Sequence, residues 1–264
     1  MSKALGIMVL AALIVPAAAN AERLTDKDVK ALLERIDHER DRFEDQLDGK
    51  LKQSIIRGPG GEVNVSRHLD DLQENVGKMK DRYTPRYAAS QEVTTVLQQG
   101  SGIQRFMASQ APNMDGASEW NRLSASLGEL AAVYGTSFPL GQGQSARRLN
   151  DEEVEVAAKS VAASADKFKK DLDNSLKKDK AIDPNARKAA VQEADDLKKD
   201  AKALADVVGG GRPATGEARA LVGRAARLKT ASAAWPLSPD AQASWRSVEG
   251  GLGKITQAFA LPPG

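Results

Sequence analysis

The chain has 264 residues, with 38 basic and 36 acidic side chains, a formal net charge of +2, no cysteine and only 4% aromatic residues. A charge so near neutral gives no whole-chain field for nucleic acid or anionic lipid, and so few rings disfavour base-stacking surfaces and carbohydrate platforms. Without cysteine there is no disulfide, thioether-linked haem or thiolate metal site, so stability must come from packing, which a chain of this length supplies as one or two cores.

The opening residues carry one lysine, an apolar run from Ala4 to Val15, a helix-breaking Pro16, and small residues ending in Ala19-Asn20-Ala21. This is the layout of a secretory signal peptide with an A-x-A cleavage site, and the apolar run is too short for a permanent membrane anchor. We expect cleavage after Ala21, a mature chain from Glu22, and a periplasmic or secreted location; an uncleaved N-terminal anchor is the alternative. No second long apolar stretch follows, so no integral membrane segment is expected after cleavage.

The elements that follow occur twice, at an offset of 125 residues. The first predicted helix opens after Thr25, with Asp28 as capping-box partner, and carries Val29, Leu33, Ile36, Phe43, Leu47 and Leu51 three, four or seven apart. Its apolar pattern continues to Ile55 or Ile56. The copy opens after Asn150, with Glu153 in the capping role. The second helix carries Val65, Leu69, Leu72, Val76, Met79 and Tyr83, copied as Ala190, Ala194, Leu197, Ala201, Leu204 and Val208, the seam spacing of a bundle helix. A third carries Val93, Val96, Ile103 and Phe106, copied as Ala218, Leu221, Leu228 and Ala231. The fourth is expected to start at Asp115 or Asp240 as N-cap and carries Trp120, Leu123, Leu127, Leu130 and Tyr134, copied as Trp245, Val248, Leu252, Ile255 and Phe259.

Turn signals separate these segments, among them "RGPGGEVN", "DPNAR", "YTPR" and "GGGRPATG", and no segment alternates with period two for long enough to predict a sheet. Charged pairs repeat with the apolar ones: Arg23-Leu24 and Asp26 match Arg148-Leu149 and Asp151, and Asp70-Asp71-Leu72 matches Asp195-Asp196-Leu197. The expected architecture is all-α, a tandem duplication of a four-helix bundle: signal peptide 1–21, first unit 22–138, a Gly/Gln/Ser-rich linker 139–147 and second unit 148–264.

The fourth helix reads W-x-x-L-x-x-x-L-x-x-L-A-x-x-Y through Trp120, Leu123, Leu127, Leu130, Ala131 and Tyr134. It resembles the closing motif of uncharacterised secreted all-α repeat proteins of bacteria, although the second copy has Thr256 and Phe259 where Ala and Tyr would stand. The resemblance implies an all-α fold and export, and supplies no activity or functional residues.

Candidate chemistry is sparse. His38 and His68, with Glu39 and Asp71, are the residues from which a metal site could be drawn, but no HExxH or spaced set accompanies them. Both histidines neighbour the apolar seam and are read as exposed polar residues. Adjacent helical residues point about 100° apart, so Asp70-Asp71 and Asp195-Asp196 read as solvated or salt-bridged charges, with Lys78, Lys80, Lys198 and Lys199 nearby, and not as a facing acid-base pair. The lysine-rich run 166–180 is interleaved with acids and reads as a solvated helix face. Gly209-Gly210-Gly211 lacks the following Gly-Lys-Ser/Thr and reads as a helix-ending loop. Met79, in seam register, reads as core filler and not as a haem ligand.

No catalytic, cofactor-binding or metal residue is therefore assigned. The expected function is that of an exported, non-enzymatic structural or protein-interaction module of the cell envelope, binding a protein partner through helix faces, with no nucleic acid partner. A carrier or sensor that holds a small apolar ligand or metal within a bundle is the alternative.

Overall fold

A computed structural model describes residues 22–58, 61–84, 86–110, 114–141 and 143–262; the expected signal peptide lies outside them. The described residues form nine helices and one short hairpin. The chain is mostly helical, and no described helix is long and apolar enough to cross a membrane.

The first half begins with α1 (Asp26–Gln46). Its N-cap is the expected capping box, in which Thr25 accepts from the Asp28 backbone N–H and Asp28 accepts from that of Thr25. The helix does not run on through Ile56 as its apolar period suggests. Leu47 and Asp48 are extended, Asp48 caps a new short helix α2 (Gly49–Gln53), and β1 (Ile55–Gly58) follows. The Asp48 side chain accepts from Leu51 N at 2.7 Å, offering the backbone a local alternative to continuing the helix. "RGPGGEVN", expected as a turn alone, supplies most of an antiparallel hairpin of β1 and β2 (Gly61–Asn64), in register Ile55↔Asn64 and Ile56↔Val63. Alternation along the strand then separates the two isoleucines: Ile56 is 3% exposed and joins the core, whereas Ile55 is 54% exposed. α3 (Val65–Arg82), α4 (Ser90–Ala108) and α5 (Ala117–Val133) complete this half. The six seam residues of α3, from Val65 to Tyr83, are all buried.

Among its described residues the second half has no hairpin. α6 (Asp151–Lys178) runs unbroken past Asp173 and Asn174, which stand where Asp48 and Gly49 break α1. It is followed by α7 (Pro184–Gly209), α8 (Thr215–Ser232) and α9 (Pro239–Ala258). α6 opens with the second expected capping box, Asn150 and Glu153. The expected caps of the last helices are displaced. Gly116, at φ +83°, caps α5 in place of Asp115, and a Cβ there would lie 3.3 Å from Leu47. Ser238 caps α9, leaving Asp240 in its first turn behind Pro239. Ala231 is exposed and the neighbouring Ser232 is buried in its place.

Two separate apolar cores result. One runs from Val29 to Ala146 and the other from Val154 to Phe259. Each closes on an aromatic pair, Phe43–Trp120 at 5.5 Å and Phe168–Trp245 at 5.0 Å between centroids. In the second core small residues bring α6 and α9 together: a Cβ on Gly251 would sit 2.5 Å from Val161 Cγ2. Gly251→Ala is therefore expected to destabilise the chain by about 1 to 3 kcal/mol through overpacking. Val161→Ala in the same chain should recover part of that loss in urea unfolding, a non-additivity that two independent sites would not show.

Candidate functional site

The densest buried polar cluster lies where the two halves meet, at the N-termini of α1 and α6. Arg23 Nη1 pairs with Asp151 Oδ1 at 2.5 Å and Arg148 Nη2 with Asp26 Oδ1 at 3.0 Å. Arg23 Nη2 donates to the Leu149 carbonyl at 2.8 Å, and Arg148 Nη2 to that of Leu24 at 2.7 Å. The backbone N–H of Asp26 donates to Asp151 Oδ2 at 2.9 Å, and that of Asp151 to Asp26 Oδ2 at 3.1 Å. Each carboxylate thus satisfies an unpaired first-turn donor of the opposite helix, at the positive end of its dipole. The reciprocity extends to the flanking backbone: Arg23 N donates to Thr215 Oγ1 and Arg148 N to Ser90 Oγ, so each half's N-terminal arm lies on the other half.

Pairing is what makes this burial tolerable, since the side chains of Arg148 and Arg23 are only 3% and 8% exposed. The Nε groups of both arginines remain without an acceptor, a cost the cluster carries. Burial pulls the Arg23 pKa down, with Arg148 adding to the fall. Burial also acts downward on Arg148, but Tyr83 and Asp26 outweigh it and raise the value. Tyr83 donates its hydroxyl to Asp26 at 2.7 Å, and burial pushes that phenol far above its ordinary range, so it stays a donor. The residue in the place of Tyr83 in the second half is Val208, so the cluster is not fully symmetric.

In the segment 139–147, expected as a linker, the described residues 139–141 and 143–147 pack against the first half. Leu140 N donates to Ser101 Oγ at 2.8 Å, Ala146 N to Thr94 Oγ1 at 3.0 Å and Arg147 N to the Tyr134 carbonyl at 2.9 Å. Ala146 is buried in the first core, and Phe138 and Leu140 pack on it. Hydrogen bonds to Ser101 and Thr94 of α4 and to the carbonyl of Tyr134, the C-cap of α5, hold its described residues there.

The structure separates the other sequence candidates. His38 is exposed, but His68 is 9% exposed, contrary to its reading as a surface residue. Its Nε2–H donates to the Gln99 carbonyl at 2.9 Å, under Gly102, where a Cβ would approach the ring to 3.1 Å. The missing side chain at Gly102 is what admits the imidazole between α3 and α4. Among the described residues no group of three potential ligands gathers to hold a metal.

Asp71 pairs with Arg67 at 3.0 Å. Asp195 takes hydrogen bonds from Lys169 and Lys199, which hold its carboxyl at about 2, and Asp196 pairs with Lys199. The other three expected neighbours are engaged elsewhere: Lys78 with Glu74, Lys80 with Glu34 and Asp37, and Lys198 with Asp166. In the lysine-rich run, Lys167 and Lys170 bind acids one turn away on α6, and Lys169 reaches across to α7. Met79 is fully buried in the first core, and Gly209 to Gly211 end α7, with Gly211 at φ +63°.

One apolar recess opens between α8 and α9, with a volume of about 130 Å³, lined by Val222, Ala225, Ala226, Trp245 and Leu252. Lys229 and Glu249 pair across its rim at 3.2 Å. Sequence reasoning missed both this recess and the charged cluster, although the repeat of Arg23, Asp26, Arg148 and Asp151 was a visible signal for the latter. No family model, curated protein or solved structure matches the chain.

Proposed function

We propose that the protein is a tandem duplication of a four-helix unit that works as an exported, non-enzymatic scaffold of the cell envelope, offering helix faces to a protein partner. The reciprocal cluster of Arg23, Asp26, Arg148 and Asp151 carries this reading. The chain devotes its densest set of buried charges to locking two halves together at matched positions, which makes a rigid two-part body and leaves those charges committed to the joint. The offset of 125 residues between the paired arginines, and again between the paired aspartates, supports descent from one repeated unit. The N-terminal sequence supports export.

The recess between α8 and α9 favours the second reading, a carrier of a small apolar ligand. Its volume of about 130 Å³ is smaller than the roughly 300 Å³ or more of ordinary ligand pockets, which places that reading second. Native mass spectrometry and elemental analysis of the purified protein distinguish the two. The scaffold reading expects no stoichiometric metal, haem or lipid; one equivalent of any of these per chain would establish the carrier.

A further inference from the structure

The two halves repeat each other in apolar pattern but not in surface charge. Beside the joint opens a crevice of about 360 Å³, lined by Arg86 and Arg147, by Glu152 and Val156 of α6, and by Lys254 and Gln257 of α9. Shifted by the repeat offset of 125, three of its charged positions change sign: Arg147 becomes Glu22, Glu152 becomes Lys27 and Lys254 becomes Glu129. Five of these six residues are exposed, and Glu152 is half-buried. The structure repeats around them, since Arg148 N donates to Ser90 Oγ and Arg23 N to Thr215 Oγ1, again 125 residues on. Glu153, which also lines the crevice, keeps its sign as Asp28, and both are committed to capping boxes. With Arg86, whose match is Gly211, the crevice holds three cations against two carboxylates. The matched positions hold one cation against three carboxylates, or two against three with the α-ammonium that cleavage after Ala21 would leave on Glu22. Val156 projects at the crevice, 60% exposed, and its match is the exposed but smaller Ala31.

We infer that the basic crevice is a docking surface for a second copy of this chain, which presents to it the acidic surface around Glu22 and Glu129. The correspondence between the surfaces rests on the duplication proposed above. An unrelated acidic partner would require only the basic crevice; the reversal of sign at the matched positions is what points to the chain itself, because it makes one surface the electrostatic complement of the other. The charges are free to engage. Among the described residues the side chains of Arg147 and Lys254 form no ion pair. Glu129 pairs with Arg35, and Glu152 with Arg86 at 3.4 Å, only at the surface, where exchanging one partner for another costs little. One oxygen of Glu22 accepts from Thr215 N, which fixes the carboxylate in place without neutralising it.

Sedimentation velocity of the mature chain tests the contact. Reversible self-association is expected, weakening at least about tenfold between roughly 0.02 and 0.5 M salt as the charges are screened. Arg147→Glu with Lys254→Glu makes both surfaces acidic, and Glu22→Gln with Glu129→Lys makes both basic; the glutamine retains an acceptor for Thr215 N. Each double variant alone should associate at least about tenfold more weakly than the parent, since like charges then meet. An equimolar mixture of the two should associate again. All four positions are exposed, so helical circular dichroism should be that of the parent in each variant. A parent that stays monomeric at roughly millimolar concentration in low salt overturns the proposal. So does association that neither double variant weakens, or that the mixture fails to restore. These outcomes leave the scaffold reading standing, because that reading is decided by what the purified protein carries.

Discussion

Replacing Asp151 by alanine is expected to cost the whole chain about 3 to 5 kcal/mol, the range for removing one member of a buried ion pair. The loss has two parts. Arg23, 8% exposed, keeps its charge but loses its carboxylate, and Asp26 N at the start of α1 loses its acceptor. Asp26→Ala should cost a similar amount from the other side, because it strips Arg148 and the start of α6 in the same way. The double variant should cost clearly less than the sum, since each aspartate acts on a helix whose partner is already disrupted. Urea unfolding followed by both circular dichroism and tryptophan fluorescence checks this. Single variants should also separate the transitions of the two halves where the parent unfolds in one. A cost below about 0.5 kcal/mol would place the cluster among ordinary surface pairs and remove the argument for a rigid joint.

The second large effect is local. Trp120→Ala and Trp245→Ala should each lower stability by about 3 to 5 kcal/mol through lost transfer energy and a residual cavity. Both indoles are buried, at 3% and 8% exposure, and each packs with its ring tilted against a phenylalanine of α1 or α6, Phe43 or Phe168. The cores share no residue, so each substitution should weaken local protection in its own half far more than in the other. Hydrogen exchange resolves the outcome: protection lost on α1, α3, α4 and α5 for Trp120→Ala, and on α6 to α9 for Trp245→Ala. Equal loss across both halves would mean a single cooperative core in place of two.

Helix positions were legible where one physical rule acted alone. The seams of α3 and of α7 alternate steps of four and three, and all twelve of those residues are buried. The capping boxes at Thr25 and Asn150 were legible because partner and cap lie three residues apart. Reading failed where two rules competed. Leu47, Leu51 and Ile55 continue a four-residue period across a break at Leu47 and Asp48, where α1 ends and the short α2 restarts, because the Asp48 side chain and the following glycine win locally. Ile55 and Ile56 fitted a helix face as well as a strand, and only their pairing with Asn64 and Val63 separates them. His68 lies beside the seam, and its burial depends on a missing Cβ on another helix, at Gly102. The charged cluster joins residues more than a hundred positions apart, and local spacing carries no information about which carboxylate a given arginine will meet.

The exchange of arms also imposes an order on biosynthesis. Arg23 finds its carboxylate 128 residues downstream, and the hydroxyl that accepts from its backbone N–H lies at Thr215, 192 residues downstream. As the chain lengthens from its N-terminus, α1, α3, α4 and α5 can gather around their own core early. The guanidinium of the arm that precedes α1 can meet Leu149 and Asp151 once α6 has begun, but the backbone donor of Arg23 has to wait until α8 has been made. The last contact to form is thus one made by some of the first residues of the described chain, and closure of the joint reports that both halves are present.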